Sequence, residues 1–422
     1  MVDTNAPPVA DGALVDVDGR CPHAYYAAAR ARGRVEFEER TGYWVAASHS
    51  SVSKVLADED TFPRLRPEEI VSDPKYVRTV ATPSFLTGQD RLDHHRWWLE
   101  IFNPRALRGY RDGVVTEVVQ AMLDRFAGNG RADLVHDYAE PLADRVIAGV
   151  LGLPWRDQQW MAELRRNFNL VERYKASIYL KPEESRPFAE AALEGTHRID
   201  ELLRPYMLRR AEQPDDTVMS RAIHDEAMRG WDEERLYGLI RTFFTGGSGT
   251  TSIQLVNAIH LMLITPGLTD LVGRGDDKLT ARFVEEALRL VPTNHFRIRL
   301  LATDVTFEGA NLRAGQTIAA LIASGNRDES RYPRPAEVDL DRPSPRQHLT
   351  FSVGIGACVG SGLARVVLQE ALGQLVARLP TLRLDPDAGQ PELGGSMFRQ
   401  YSPLHVLFDA DRSGKDHGPW DA

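Results

Sequence analysis

Apolar residues recur at helical spacing over long stretches of this chain. Residues 111–127, 133–153, 157–170, 186–211 and 232–265 each carry an apolar stripe of about 3.6-residue period and are predicted as helices. Alternating patterns are few and short. Val35-Glu-Phe-Glu and Tyr43-Trp-Val-Ala flank Thr41-Gly42 and predict a hairpin. Val305-Thr-Phe and Gln316-Thr-Ile flank a Gly/Asn turn and predict a second. There is no repeat, low-complexity linker or break in composition. The expected architecture is mainly α with a small β portion: one domain over residues 21–408, between flexible segments 1–20 and 409–422.

Composition narrows the function classes. The 422 residues carry a net charge of −9. That disfavours nucleic acid, whose phosphates require a basic surface, and anionic lipid. Two cysteines build neither a disulfide framework nor a four-cysteine zinc site, so a reducing, cytoplasmic setting is expected. The opening MVDTNAPPVADGALVDVDGR lacks a basic region followed by an apolar run, and predicts no signal peptide or anchor. No apolar run approaches the roughly 20 residues a membrane span needs.

Three short stretches carry candidate chemistry. The first is Phe351-Ser-Val-Gly-Ile-Gly-Ala-Cys-Val-Gly360. As a dinucleotide fingerprint, Gly354, Gly356 and Gly360 would cradle phosphates and Asp385 would take the ribose. Only residues 386–422 follow that acid, too few for the remaining strand–helix units. As a thiolate site, Cys358 stands just before a predicted helix, where the dipole and unpaired N–H groups favour ionised sulfur. A small buried apolar cysteine is the plain alternative. The second stretch is Glu286-Ala-Leu-Arg289, whose charges share a helix face. The third, Thr245-Gly-Gly-Ser-Gly-Thr-Thr-Ser252, interrupts a long apolar pattern with three glycines. Each costs ~1 kcal/mol in a helix interior. It reads either as a loop between two helices or as a helix loosened so that a flat group packs on Gly247 and its neighbours.

Taken together and in this order, these stretches resemble the cytochrome P-450 family of haem-thiolate monooxygenases, in its soluble bacterial form. The likeness spans nearly the whole chain, adding Cys21-Pro-His-Ala-Tyr-Tyr, Gly325-Asn-Arg-Asp328 and His348-Leu-Thr-Phe351. It implies a single-domain fold with a long central helix over haem b (iron protoporphyrin IX) and a cysteine loop preceding a helix. Cys358 would ligate the iron as thiolate, with Phe351 beside the sulfur and Gly360 at the loop's end. Glu286 and Arg289 would form a structural ion pair, joined by Arg342. Arg299 and His348 match propionate-binding positions. Thr250, aided by Ser248 and Thr251, would deliver protons. The pocket would draw on Phe243, Phe244, Asn294, His295 and Phe398.

The chain also departs from the family's pattern. Gly249 stands where an Asp or Glu usually precedes the helix threonine. Gly356 replaces a propionate-binding His or Arg, and Ser352 replaces a Gly. In Asp93-His-His-Arg-Trp-Trp98, Trp98 follows His94 by four where an Arg is usual, so a propionate contact carries over only to His94 or Arg96. The implied reaction oxidises a small, secondary-metabolite-like molecule by hydroxylation, dealkylation or coupling. Dioxygen is the oxidant, and electrons come from a separate ferredoxin with its reductase, or a flavodoxin. Gly249 keeps open an atypical peroxide-driven or nitric-oxide-reducing enzyme. A non-catalytic haem- or ligand-binding relative is a third reading.

Overall fold

The periodic stretches fold as helices in a computed structural model, which describes residues 22–411 apart from 40, 72, 81–85, 87, 178–181 and 229. Both proposed terminal segments lie largely outside these residues, as does Cys21. The long central pattern forms one helix, Glu233–Ile264, capped by the Asp232 carboxylate on the Arg235 N–H at 2.8 Å. It runs unbroken through Thr245–Ser252, so the loop reading of that stretch falls. Buried amides anchor it: Asn257 donates to the Arg399 carbonyl at 2.9 Å and Gln254 to the Val291 carbonyl at 3.2 Å.

The other helices depart from the predicted bounds for local reasons. Residues 111–127 resolve into a π-helical turn, Arg111–Val115, and a helix, Thr116–Asp124, because Gly113 leaves the helical region. Residues 133–153 begin in a strand, Arg131–Asp133, recruited by pairing with His405–Leu407; the helix proper is Glu140–Leu151. The next two helices outlast their patterns, as Gln158–Ser177 and Pro182–Glu212. Further helices span Gly88–Ile101, Asp277–Leu290 and Ser361–Arg378. The central helix packs between the Glu140–Leu151 and Ser361–Arg378 helices, and the main apolar core fills the seams. No helix among the described residues is long and apolar enough to cross a membrane.

The strands form four small sheets among the described residues. Glu36–Glu38 pairs antiparallel with Tyr43–Ala46, as the first hairpin pattern predicts. The second hairpin is corrected. Val305–Phe307 pairs with Ala310–Leu312, not with the Gln316 segment, because Glu308 (φ 48°) and Gly309 (φ 81°) make a two-residue turn between them. Thr317–Ala320 instead runs parallel to Tyr43–Ala46 and antiparallel to Arg297–Leu300. This four-stranded sheet carries Arg299 on a rigid strand.

Beneath the central helix lies a buried ionic cluster. Arg289 forms two 2.8 Å bonds to the Glu286 carboxylate and donates to the backbone carbonyls of Asn326, Pro335 and Glu337. Arg342 completes it with a 3.1 Å bond to Glu286.

Candidate active site

The cysteine loop is built by two unusual backbone positions. Gly354 (φ 69°) sits against Ala57, whose Cα would lie 3.3 Å from any added Cβ. Ser352 also has positive φ, 61°, and its Oγ is buried without a partner. The loop folds back so that the Cys358 N–H donates to the Phe351 carbonyl at 2.8 Å. Cys358 is thereby held deep in the protein, yet its surface is exposed because it opens on an internal cavity.

That cavity measures about 270 Å³. Its walls are mainly apolar. The cysteine loop and Leu363, Ala364 and Val367 form one boundary. The central helix brings Thr242, Phe243, Gly246, Gly247, Thr250 and Thr251. Val146, Ile147, Trp98 and Phe102 also line it. Trp98 stacks on Phe102 at 5.4 Å and on Phe243 at 5.1 Å, so this wall is a rigid aromatic block.

Burial pushes the Cys358 thiol up. Backbone N–H groups of Gly360 and Ser361, with the charges of Arg297 and Arg365, pull the other way. Bound to a metal cation, this sulfur is a thiolate. Among the described residues no three His, Cys, Asp or Glu side chains converge as a metal cage.

Behind the loop, Arg365 lies over the Phe351 ring at 4.6 Å and grips Glu285 at 2.6 and 3.1 Å. Burial would raise the Glu285 carboxyl, but hydrogen bonds from His348 and Arg365 hold it down at about 2. With Arg365 already balancing that charge, buried His348 stays neutral and donates Nε2–H to Glu285 at 3.0 Å. His348 therefore buttresses the loop from behind, bonded to Glu285, and is not among the cavity's lining residues.

The glycine–threonine stretch sorts by face. Thr250 and Thr251 line the cavity, and the Thr250 hydroxyl donates to the Gly246 carbonyl at 2.6 Å. Ser248 turns elsewhere: its hydroxyl bonds Asp144 and Arg165, and it is not among the lining residues. Gly247 borders the cavity, yet a Cβ there would meet Ile147 Cδ1 at 2.5 Å, so its missing side chain admits the neighbouring helix. Gly246 is the glycine with open space at that position.

Several other assignments separate from the cavity. Phe244 stacks on Phe168 at 4.4 Å, outside the lining. Asn294 bridges Phe398, and His295 meets the Tyr26 hydroxyl at 3.3 Å, so all three belong to a strand corner beside the cavity's lining set. Arg96 is exposed and pairs with Asp93 at 3.1 Å. His94 does line the cavity; burial brings it down to about 4, and its Nε2 accepts from Trp98 Nε1 at 2.8 Å. Arg299 is buried but outside the lining, with Nε unpartnered. Arg64 and Arg91 line the cavity without any motif marking them, and His95 and Trp98 join them from the Asp93–Trp98 stretch.

The comparisons agree with this geometry. The Cytochrome P450 family profile matches residues 275–398. Nocardicin C N-oxygenase from Nocardia uniformis subsp. tsuyamanensis is 31% identical over 418 residues, covering 96% of this chain and 99% of that protein. Mycinamicin IV hydroxylase/epoxidase from Micromonospora griseorubida is 30% identical over 348 residues, 81% of this chain and 83% of that one. The crystal structure of the versatile cytochrome P450 enzyme CYP109B1 from Bacillus subtilis superposes with a TM-score of 0.79 over 93% of this chain and all of its own; at 23% identity it speaks for the fold.

Proposed function

This chain belongs to the cytochrome P450 family, and on that premise we propose that Cys358 is the protein ligand to the iron of haem b and that Thr250 handles protons on the far wall of the same cavity. The enzyme is a monooxygenase with a haem-iron cofactor, acting with dioxygen and external electrons on a small organic molecule. The proposed substrate is a secondary metabolite, by analogy with the two relatives named above. The proposed electron donor is a ferredoxin with its reductase, or a flavodoxin.

The observation that carries this reading is that Cys358 and Thr250, 108 positions apart in the chain, line one apolar cavity. The bound haem supplies the activation of dioxygen, strengthened by thiolate donation. The chain's own residues supply the rest. N–H groups of Gly360 and Ser361 stabilise the sulfur's negative charge and moderate its basicity. Phe351, with Arg365 over its ring, adds an aromatic wall to the cavity that Cys358 lines. Trp98, Phe102, Phe243, Val146 and Ile147 give the cavity apolar walls, and low-dielectric walls strengthen polar contacts beside them. The Thr250 hydroxyl donates to the Gly246 carbonyl in the resting arrangement. Rotation of that hydroxyl lets its oxygen receive a proton on one side and pass one on at the other.

The test is spectroscopic. The reduced protein with carbon monoxide should show the red-shifted Soret band of a thiolate-ligated haem, and Cys358→Ser should abolish it. A wild-type spectrum of the histidine-ligated type would overturn the reading.

A further inference from the structure

We propose, building on the haem reading, that Arg64 and Arg91, together with Arg299, hold the two carboxylates on the haem edge, and that Arg64 reaches them through the space left by Gly356. Gly356 in the cysteine loop and Trp98 on the Gly88–Ile101 helix border the cavity and carry no charge. The structure brings a guanidinium to the neighbourhood of each.

At Gly356 the constraint is steric. A Cβ at that position would stand 2.6 Å from Arg64 Nη2 and 2.6 Å from Glu59 Oε1. No side chain fits while these two groups are in place. Arg64 Nη2 donates to the Gly356 carbonyl at 3.2 Å, which locks the guanidinium against the loop, and Arg64 is part of the cavity wall. On the helix, Arg91 precedes Trp98 by seven residues. Seven residues are close to two turns, so the two share a face. Arg91 lines the cavity with Trp98. The aromatic block thus keeps the Trp98 position and the charge sits two turns earlier.

The group is positive beyond its own partners. Glu59 bonds Arg91 through both oxygens and approaches Arg64 at 3.4 Å. Arg299 lies within electrostatic reach of all three, with Arg297 adding a further positive charge. Three guanidiniums therefore surround one carboxylate. The Nε groups of Arg64 and Arg299 are buried with no acceptor. Buried cationic donors left unpaired are costly. A flat ligand presenting two carboxylates on one edge would satisfy both donors and balance the two excess charges.

Haem loss from the holoenzyme to excess apomyoglobin, read beside the carbonyl spectrum and the resonance Raman bands of the propionates, tests the assignment. Arg64→Ala and Arg91→Gln should each speed haem loss on the order of 10- to 100-fold, as expected for a lost charge-assisted bond, and shift the propionate bands while the iron–sulfur stretch stays put. Gly356→His alone should also speed the loss, because it collides with Arg64. In the Arg64→Ala background the same change has room, and should restore most of the retention, an outcome general unfolding cannot produce. Haem loss at the wild-type rate in both arginine variants, or unmoved propionate bands, would overturn the proposal. A wild-type protein without the thiolate-type carbonyl band would instead overturn the haem reading beneath it.

Discussion

Glu172 Oε1 lies 3.9 Å from the point where a Cβ on Gly249 would stand. The carboxylate comes from the Gln158–Ser177 helix and faces Arg165 at 3.8 Å, and Arg165 in turn bonds Asp144 at 2.6 Å. The acid that the family's pattern puts at 249 is missing here, and a carboxylate from another helix stands beside its place.

The first prediction concerns that pair. In Gly249→Asp the Cβ meets no closer atom than this carboxylate, so it has room, but two like charges then compete for Arg165. Product formed per electron should rise with Gly249→Asp in a Glu172→Gln background and rise less in the wild type. The two changes should be non-additive by more than ~0.5 kcal/mol, as expected of contacting groups. Product yield against reductant consumed is the measurement; strict additivity would show that Glu172 and position 249 act independently.

The second concerns the buried ion pair. Arg289 and Glu286 have side chains 0% and 1% exposed. Arg289→Met leaves three backbone carbonyls without their donor and the carboxylate with Arg342 alone. Breaking such a pair costs about 3–5 kcal/mol, and Glu286→Gln should recover part of it in the double variant. Denaturant midpoints decide; a loss under about 1 kcal/mol would contradict the cluster.

Ser352 offers the opposite sign. It combines a left-handed backbone with a buried, unpartnered hydroxyl. Ser352→Gly removes both, and should stabilise the protein by roughly 1 kcal/mol. An unchanged or lowered urea midpoint would count against this description of the loop.

Acid sensitivity should trace to Glu285. Its carboxyl falls from an ordinary 4.5 to about 2 on folding, and its side chain is 4% exposed. The folded state therefore binds the proton less readily than the unfolded chain. The stabilisation is full above pH 4.5 and is lost as the pH falls toward 2, by roughly 3 kcal/mol in all. Glu285→Gln should flatten the stability curve in that window and leave its shape near neutrality unchanged. An unaltered acid slope would place the proton uptake elsewhere.

Residues that act through their neighbours in sequence were readable from the sequence. Cys358 ahead of a helix, Glu286 three before Arg289, and Thr250 amid glycines each depend on spacing along one element, and spacing is written in the chain. The face a residue turns was harder to read. Ser248 and Thr250 are two positions apart, which on a helix is a rotation of roughly 200°, so one binds Asp144 while the other lines the cavity. Phe243 and Phe244 separate in the same way. His348 shares a motif with Phe351, but its partner is Glu285, far away in sequence.

By itself, the order of residues determined the helical architecture and the position of the cysteine loop, because helix periodicity and a cysteine just ahead of a helix start are local properties. Only tertiary structure decided how the cavity is furnished. Arg64 meets Gly356 across 292 positions, and Glu172 stands over Gly249 from another helix. Such pairings arise when separate elements pack and one side chain fills the volume another lacks, and no spacing within a single element records that complementarity.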